Sequence, residues 1–469
     1  YDIAQCLVGS EMCIRDRGYG VCLLLGALAG LLLTAHTRQK LDRVHTAYAD
    51  REVTLTAEVE EVSASYYPGV VHAVLRVEPT GGEKTVFRME CVCMPKCTAG
   101  ERVQARFALE VPARTQQLSS YADGIALSGE YLAGMKHLGP SESFRAKTAR
   151  LQRRLSAALC KGMAQGPAGV LAAMVLGDRT HLSKDLRSAY RAAGLSHVLV
   201  VSGMHVSILC GDILSTLLPY EWEQSYRRRR RRAVFRSLLA FLLMGVTGFT
   251  PSVCRAAVAV WVGALGVWLY GPPDTLISLA VAGIVMTAGN SYAVCDIGFE
   301  LSFAAVVGTV AGGVCIRRAR DAWYRQFWKN AKNPVRRPGY FKLPERLWGL
   351  AESICISFCA SVATFPVLVL RGLSVSIYAV ASSVAVLWLI QPMMLLGLGT
   401  AFTGLVPALA PLHGVLSVLS AALTGLLDRW AVWISAKPGA GIYFDTAYAA
   451  IVCLVLILSL IHISEPTRH

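Results

Sequence analysis

Residues Gly194–Ile208 read GLSHVLVVSGMHVSI, an apolar run that nonetheless holds His197, Ser202 and His205. Hydrocarbon penalises polar side chains, so such groups face a bundle interior or an aqueous path. The stretch is read as the head of a membrane span over 195–218 and as a functional-site candidate. On a straight helix His197 and His205 are roughly 80° apart, a poor placement for two ligands of one metal. Ser202-Gly203 allows a kink whose freed carbonyls are met by neighbours. Two readings stay open. Either Ser202 and the histidines tie the span to its neighbours, or they line a polar path.

Outward from that stretch the composition agrees. Of 469 residues 54% are hydrophobic and only 16% charged, against about a quarter charged in soluble domains. This excludes a wholly soluble protein. Net charge is +15, concentrated in the unbroken run Arg227–Arg232 and in 317–346. Beside spans, such clusters mark the cytoplasmic side; binding to acidic lipid or nucleic acid is the second reading. Most of the 14 cysteines lie in apolar segments, where they act as small hydrophobes. Cys91, Cys93 and Cys97 sit in a polar region, lack zinc spacing, and admit one disulfide if that region is extracytoplasmic.

The chain divides by composition. Residues 1–17 and 458–469 resemble translated sequencing-adapter read-through and are set aside, His462 and His469 with them. A short transmembrane helix is expected over 18–36. Residues 45–140 alternate apolar and polar, as in Val53–Ala64, Val70–Val77 and Val103–Val111. That period predicts a small all-β, OB-like barrel. An amphipathic helical linker follows over 141–166, then a multi-helix membrane domain over 167–457. Its first apolar piece, near 167–177, is too short to span and reads as re-entrant or interfacial. Further spans are expected at 233–249, 253–270, 274–289, 294–316, 351–370, 374–390, 392–409, 412–434 and 443–460. Four of them separate the two basic stretches, which puts both on the cytoplasmic side and the β domain outside. The fold class is a polytopic α-helical membrane protein with a small extracytoplasmic OB-like domain.

Other polar residues interrupt the spans. Gly248–Ala256 (GFTPSVCRA) carries Ser252 and Arg255 at the start of a span, where arginine either snorkels to the interface or faces a cavity and meets an anion. Cys295–Ala305 (CDIGFELSFAA) carries Asp296, Glu300 and Ser302. Asp296 and Glu300, four apart, share one helix face as a repelling pair, and Asp296 is a candidate partner for Arg255. Asp178-Arg179 reads as an interfacial charge turn. Pro366 and Pro392 read as span breaks. No catalytic set, metal cluster or nucleotide-binding motif is found, so no enzyme activity, metal or cofactor is expected of these residues.

These motifs, in the order AGLSHVLVVSGMHVSIL, TGFTPSVCRA and DTLISLAVAGIVMTAGNSYAVCDIGFELSFAAVVG, resemble the membrane core of the ComEC family of competence proteins over about 167–410. The family motif positions fall on His197, Ser202, Gly203, His205, Pro251, Ser252, Arg255, Asp296, Gly298 and Ser302. Around 382, where relatives tend to carry Asn, this chain has Ser382-Ser383. The C-terminal metallo-β-lactamase-like domain of many relatives is not within these residues, and truncation is the expectation.

The resemblance implies passage of single-stranded DNA across the bacterial cytoplasmic membrane during natural transformation. His197, Ser202, His205, Ser252, Arg255, Asp296 and Ser302 would line the path. Tyr66, Tyr67 and Phe87 of the OB-like domain would stack on bases. Implied partners are single-stranded DNA, other competence proteins including a cytoplasmic DNA motor, and membrane lipid, with a homo-oligomer left open. Two alternatives remain: a small-solute transporter, and an intramembrane serine hydrolase built on Ser202, which needs a histidine from another span.

Overall fold

The computed structural model describes residues 2–64, 69–78, 86–212, 226–269, 274–330 and 345–444, with a few isolated positions beyond. It comprises two compact units, Tyr1–Ser141 with Ile284–Asp296, and Glu142–Gly283 with Ile297–His469.

The first unit is built on a closed five-stranded barrel. Strands β1 (Arg51–Ala64), β2 (Val70–Val77), β3 (Phe87–Pro95), β4 (Glu101–Glu110) and β5 (Ile125–Pro140) close in the order β1-β2-β3-β5-β4. All neighbours are antiparallel except β3 and β5. The expected OB-like barrel is thus present. The alternation does the sorting: Val103, Ala105, Phe107 and Leu109 point inward from β4 and meet Leu55, Ala57 and Val59 from β1. Each such burial contributes roughly 1.5–3 kcal/mol for the larger side chains. Helix α1 (Asp2–Tyr48) runs through residues 18–36 and ends on the barrel, where Val44 joins the core. Cys91 and Cys97 are buried and Cys93 half-buried; all three are free thiols. Burial pushes both Cys91 and Cys97 up to about 11, so they act as core hydrophobes.

Phe87, expected as a stacking platform, belongs to that core. It is 5% exposed and packs 5.0 Å from Tyr48, ring to ring. With both faces covered it has none to offer a base. Tyr66 and Tyr67 lie outside the described residues.

The second unit is helical. Helices α3 (Phe144–Cys160) and α4 (Gln165–Leu176) follow the short α2 (Gln117–Ala122) of the first unit. Every residue from Ala168 to Leu176 is buried, so the short apolar piece is an interior helix of about 18 Å, too short to cross. Helix α5 (Lys184–Ala192) leads to Gly194. There φ is +75°, and an added Cβ would stand 2.6 Å from the Ala379 methyl, so only glycine fits.

The expected span over 195–218 is not formed. Residues 196–198 are turns, 199–200 a bend, and Val201-Ser202 is non-helical. Helix α6 is only Gly203–Ser207, followed by a π turn over Ile208–Asp212. The geometry computed for His197 and His205 on a straight helix therefore does not apply. Residues 213–225 lie outside the described residues.

The remaining helices are α7 (Tyr226–Val246), α8 (Pro251–Leu269), α9 (Thr275–Gly289), α10 (Ile297–Asn330), α11 (Glu345–Leu370), α12 (Ala379–Leu405) and α13 (Ala410–Ser435). Five stretches among the described residues are long and apolar enough to cross a membrane: Pro251–Leu269, Ile297–Arg325, Leu347–Leu370, Ala379–Leu405 and Pro407–Ser435. Two expected breaks are absent. Pro366 and Pro392 lie inside continuous α11 and α12, so 374–390 and 392–409 form one helix rather than two. Membrane helices tolerate proline because neighbours satisfy the freed carbonyl. The expected span at 443–460 lies mostly outside the described residues.

Helix α13 shows why water is not the solvent here. His413, Ser417, Ser420 and Thr424 are buried, whereas Leu412, Val415, Val418, Leu419 and Leu426 are exposed. That pattern inverts a soluble amphipathic helix and suits a hydrocarbon exterior with hydrogen bonds inside. Ser420 meets the Thr400 hydroxyl of α12 at 3.1 Å, and the two His413 ring nitrogens face the carbonyls of Thr400 and Lys161, each at 3.1 Å.

Candidate functional site

Ser202 ends the non-helical approach to α6 with extended backbone, φ −117° and ψ 174°. Its N–H donates to His205 Nδ1 at 2.8 Å, and its hydroxyl lies 3.1 Å from the same nitrogen. His205 is fully buried, and its Nε2 has no hydrogen-bond partner among the described residues. Serine and histidine thus cap the first turn reciprocally, in the manner of a capping box. His197 lies in the preceding turn, exposed, with its ring hydrogen-bonded to the Gly194 backbone.

Gly203, between them, is where the second motif arrives. A Cβ there would stand 2.6 Å from Arg255 Nη2, so the guanidinium lies directly against the α6 backbone. Arg255 projects from the second turn of α8, one turn beyond Ser252. Its Nε donates to Ser302 Oγ on α10 at 2.7 Å. The three motifs, successive ones about 50 residues apart in sequence, therefore meet around one arginine. A cleft of about 240 Å³ opens beside it, lined by Arg255, Ala259, Asp274, Ser278 and Val306 among others.

Among the described residues no carboxylate stands within ion-pair distance of Arg255. The expected pairing with Asp296 is not made: Arg255 bonds Ser302, while Asp296 interacts with the carboxyl of Asp123. Asp296 precedes α10 with extended backbone, φ −71° and ψ 131°, so it does not share a helix face with Glu300. Glu300 is bound bidentately by Arg371, with Nε to Oε2 at 2.9 Å and Nη2 to Oε1. The like-charge pair anticipated at these positions does not exist. Nor does Asp178 pair with arginine; it accepts hydrogen bonds from Ser156 at 2.5 Å and from Thr180.

Sequence reasoning overlooked three partners. Arg371 neutralises Glu300, Asp123 faces Asp296, and Tyr190 donates to Asp428 at 2.8 Å. Only Asp428 carried a visible signal, as a lone carboxylate in the apolar stretch Ala421–Ile434.

Barrel and bundle together define the class: a polytopic helical membrane protein bearing an OB-like barrel. The sequence model of the competence protein family matches residues 174–468, more than half of the chain, and the chain belongs to that family. ComE operon protein 3 of Bacillus subtilis (strain 168) is 25% identical over 173 residues, 37% of this chain and 22% of that protein. The match thus spans about a fifth of that relative's length. No solved structure matches the chain.

Proposed function

We propose that the helical unit passes single-stranded DNA across the cytoplasmic membrane during natural transformation, with Arg255 as the group that meets the strand. The observation that carries this reading is the partly buried guanidinium of Arg255, which among the described residues bonds the neutral Ser302 hydroxyl and no carboxylate, beside a cleft. A membrane-embedded cation without a counter-ion is costly. A passing phosphodiester supplies the missing charge and accepts the remaining guanidinium N–H groups. Membership of the competence family and the similarity to ComE operon protein 3 support the same direction.

In this reading Ser202 and His205 fix the α6 turn against which the guanidinium rests. His197 and Ser252 border the path, and Ser302 aims the arginine. Asp296, whose carboxyl faces Asp123, is not assigned to the path. The barrel is extracytoplasmic and receives the strand, with Tyr66 and Tyr67 as the remaining aromatic candidates. A cytoplasmic motor supplies the drive. The test is transformation of a host lacking its own channel protein with the complete gene. Unchanged DNA uptake in the Arg255→Ala, Ser302→Ala double variant sinks the assignment.

The hydrolase alternative loses ground at Ser202. The Nδ1 of His205 has one in-plane lone pair, and the Ser202 N–H already occupies it at 2.8 Å. Among the described residues no carboxylate orients the ring, since Nε2 is unpartnered. Such a histidine caps a turn rather than drawing a proton from the hydroxyl.

A further inference from the structure

The cleft beside Arg255 holds a second charge, of opposite sign. Three helices line it. Arg255 and Ala259 lie one turn apart on α8, Val306 lies one turn beyond Ser302 on α10, and Asp274 and Ser278 stand at the start of α9. The cation and the carboxylate share this cleft without an ion pair between them, because Arg255 Nε is held by Ser302.

Asp274 is fixed in place. Its Oδ1 accepts the N–H groups of Leu276 and Ile277 at 2.7 and 3.4 Å, so it caps α9. Its carbonyl accepts the Ser278 hydroxyl at 2.8 Å. The positive end of α9 offsets part of the carboxylate charge, but a helix end amounts to only about half a unit. A net negative charge therefore remains in the cleft that an anionic strand would enter. Arg255 attracts a phosphate there, and Asp274 repels it. A path conducts only when its cargo binds strongly enough to enter and weakly enough to leave.

We propose that Asp274 is the residue that releases the strand from Arg255, a fixed counter-charge that sets how long each phosphate stays in the cleft. This rests on the reading of Arg255 as the group that meets the phosphodiester. The release role is separable from the capping role, because asparagine and serine cap a helix about as well as aspartate and carry no charge.

The test uses the full chain reconstituted in nanodiscs. A short fluorescent single-stranded oligonucleotide is the probe, at one fixed salt concentration, and transformation is read alongside with the complete gene. The Arg255-dependent part of binding is the wild-type signal less that of Arg255→Gln. In Asp274→Asn that part is expected to tighten about threefold to tenfold, the scale for unit charges sharing a cleft at an effective dielectric of about 20, less the helix offset. The change falls mainly on the dissociation rate, and transformation falls although binding has tightened. A damaged fold lowers both and does not produce that pair. Unchanged or weaker binding in Asp274→Asn, with Arg255→Gln still lowering it, overturns this inference alone. So does tighter binding with undiminished transformation, since release would then not limit passage. Full binding by Arg255→Gln overturns the reading of Arg255 and the release role with it. If Asp274→Asn does not reach the membrane, Asp274→Ser decides by the same readings. Failure of both equivalent caps to accumulate would make Asp274 a structural residue and overturn the proposal.

Discussion

Arg255 Nε donates to Ser302 Oγ across 2.7 Å, and the same guanidinium lies against the backbone of Gly203. One arginine thus ties α8 to α10 and to the start of α6. Removing the serine hydroxyl while keeping the charge separates aim from presence. Ser302→Ala is expected to lower transformation roughly 10–100-fold, the equivalent of ~1.5–3 kcal/mol for a hydrogen bond to a charged group. Ser302→Thr keeps the hydroxyl and retains most uptake. Arg255→Lys keeps the charge but loses the fork and the Nε contact, so it falls with Ser302→Ala. Wild-type transformation in Ser302→Ala would remove the serine from the mechanism.

Two glycines near the site are tight for different reasons, and alanine distinguishes them. At Gly203 the obstructing atom is the end of a flexible arginine, 2.6 Å from the added Cβ. The fold yields cheaply and Arg255 is displaced. At Gly194 the obstruction is the Cα and Cβ of Ala379, at 2.7 and 2.6 Å, and φ is +75°. The backbone itself must move, at a cost of about 1–3 kcal/mol for overpacking on top of ~1–2 kcal/mol for a left-handed alanine. Gly203→Ala is therefore expected at normal membrane abundance with low uptake, and Gly194→Ala at low abundance. Quantitative immunoblotting of membranes alongside transformation reads both, and reduced abundance in Gly203→Ala would contradict the distinction.

The barrel was legible because period-two alternation survives in β1, β2 and β4, and the long spans were legible because composition alone marks them. The stretch at 194–208 misled because hydropathy does not distinguish a buried turn from a span. Its course is set by contacts such as Leu195 N–H to the Tyr190 carbonyl at 2.8 Å and the Ala379 methyl against Gly194. Phe87 misled through parity. It opens β3 opposite Val77, and at a strand's first residue the inward and outward faces are not fixed by a pattern that has yet to begin. Asp296 and Arg255 misled because residue chemistry indicates depth along a helix but not the direction around it.

Phe87 now carries a prediction about stability instead of binding. Phe87→Ala leaves a cavity among Val77, Met89 and Tyr48 and should cost ~3–5 kcal/mol of barrel stability. Phe87→Leu preserves most of the volume and costs less than half of that. Hydrogen exchange of barrel amides in the intact protein checks the ranking. Faster exchange confined to residues 51–140 is expected for alanine, and an unperturbed barrel in Phe87→Ala would return the ring to the candidate DNA-contacting residues.

Asp123 supplies a pH dependence. It follows α2, whose carbonyls at Tyr121 and Ala122 accept from Asn290 Nδ2 at 2.7 and 3.2 Å, while Tyr121 and Tyr292 pack 5.6 Å apart. Partial desolvation, followed by the neighbouring Asp296 carboxyl, pushes Asp123 up to about 6 from the ordinary 3.8; Glu61 adds to this and Arg88 opposes it. Because the value in the folded protein is raised, the contribution to stability is fully present below the ordinary aspartate range and is lost as pH rises through about 6. Below that pH the protonated Asp123 carboxyl hydrogen-bonds Asp296; above it Asp123 loses that proton and the bond with it. The contact between 121–124 and 290–296 is thus expected to hold in mild acid and loosen at neutrality. Asp123→Asn replaces the titrating donor with an amide that donates at every pH, so it should abolish the dependence. Amide exchange at 121–124 and 290–296, measured one unit either side of pH 6 and normalised to the Asp123→Asn protein, reads this directly. The same pH profile in wild type and variant would show that the carboxyl pair does not control the contact.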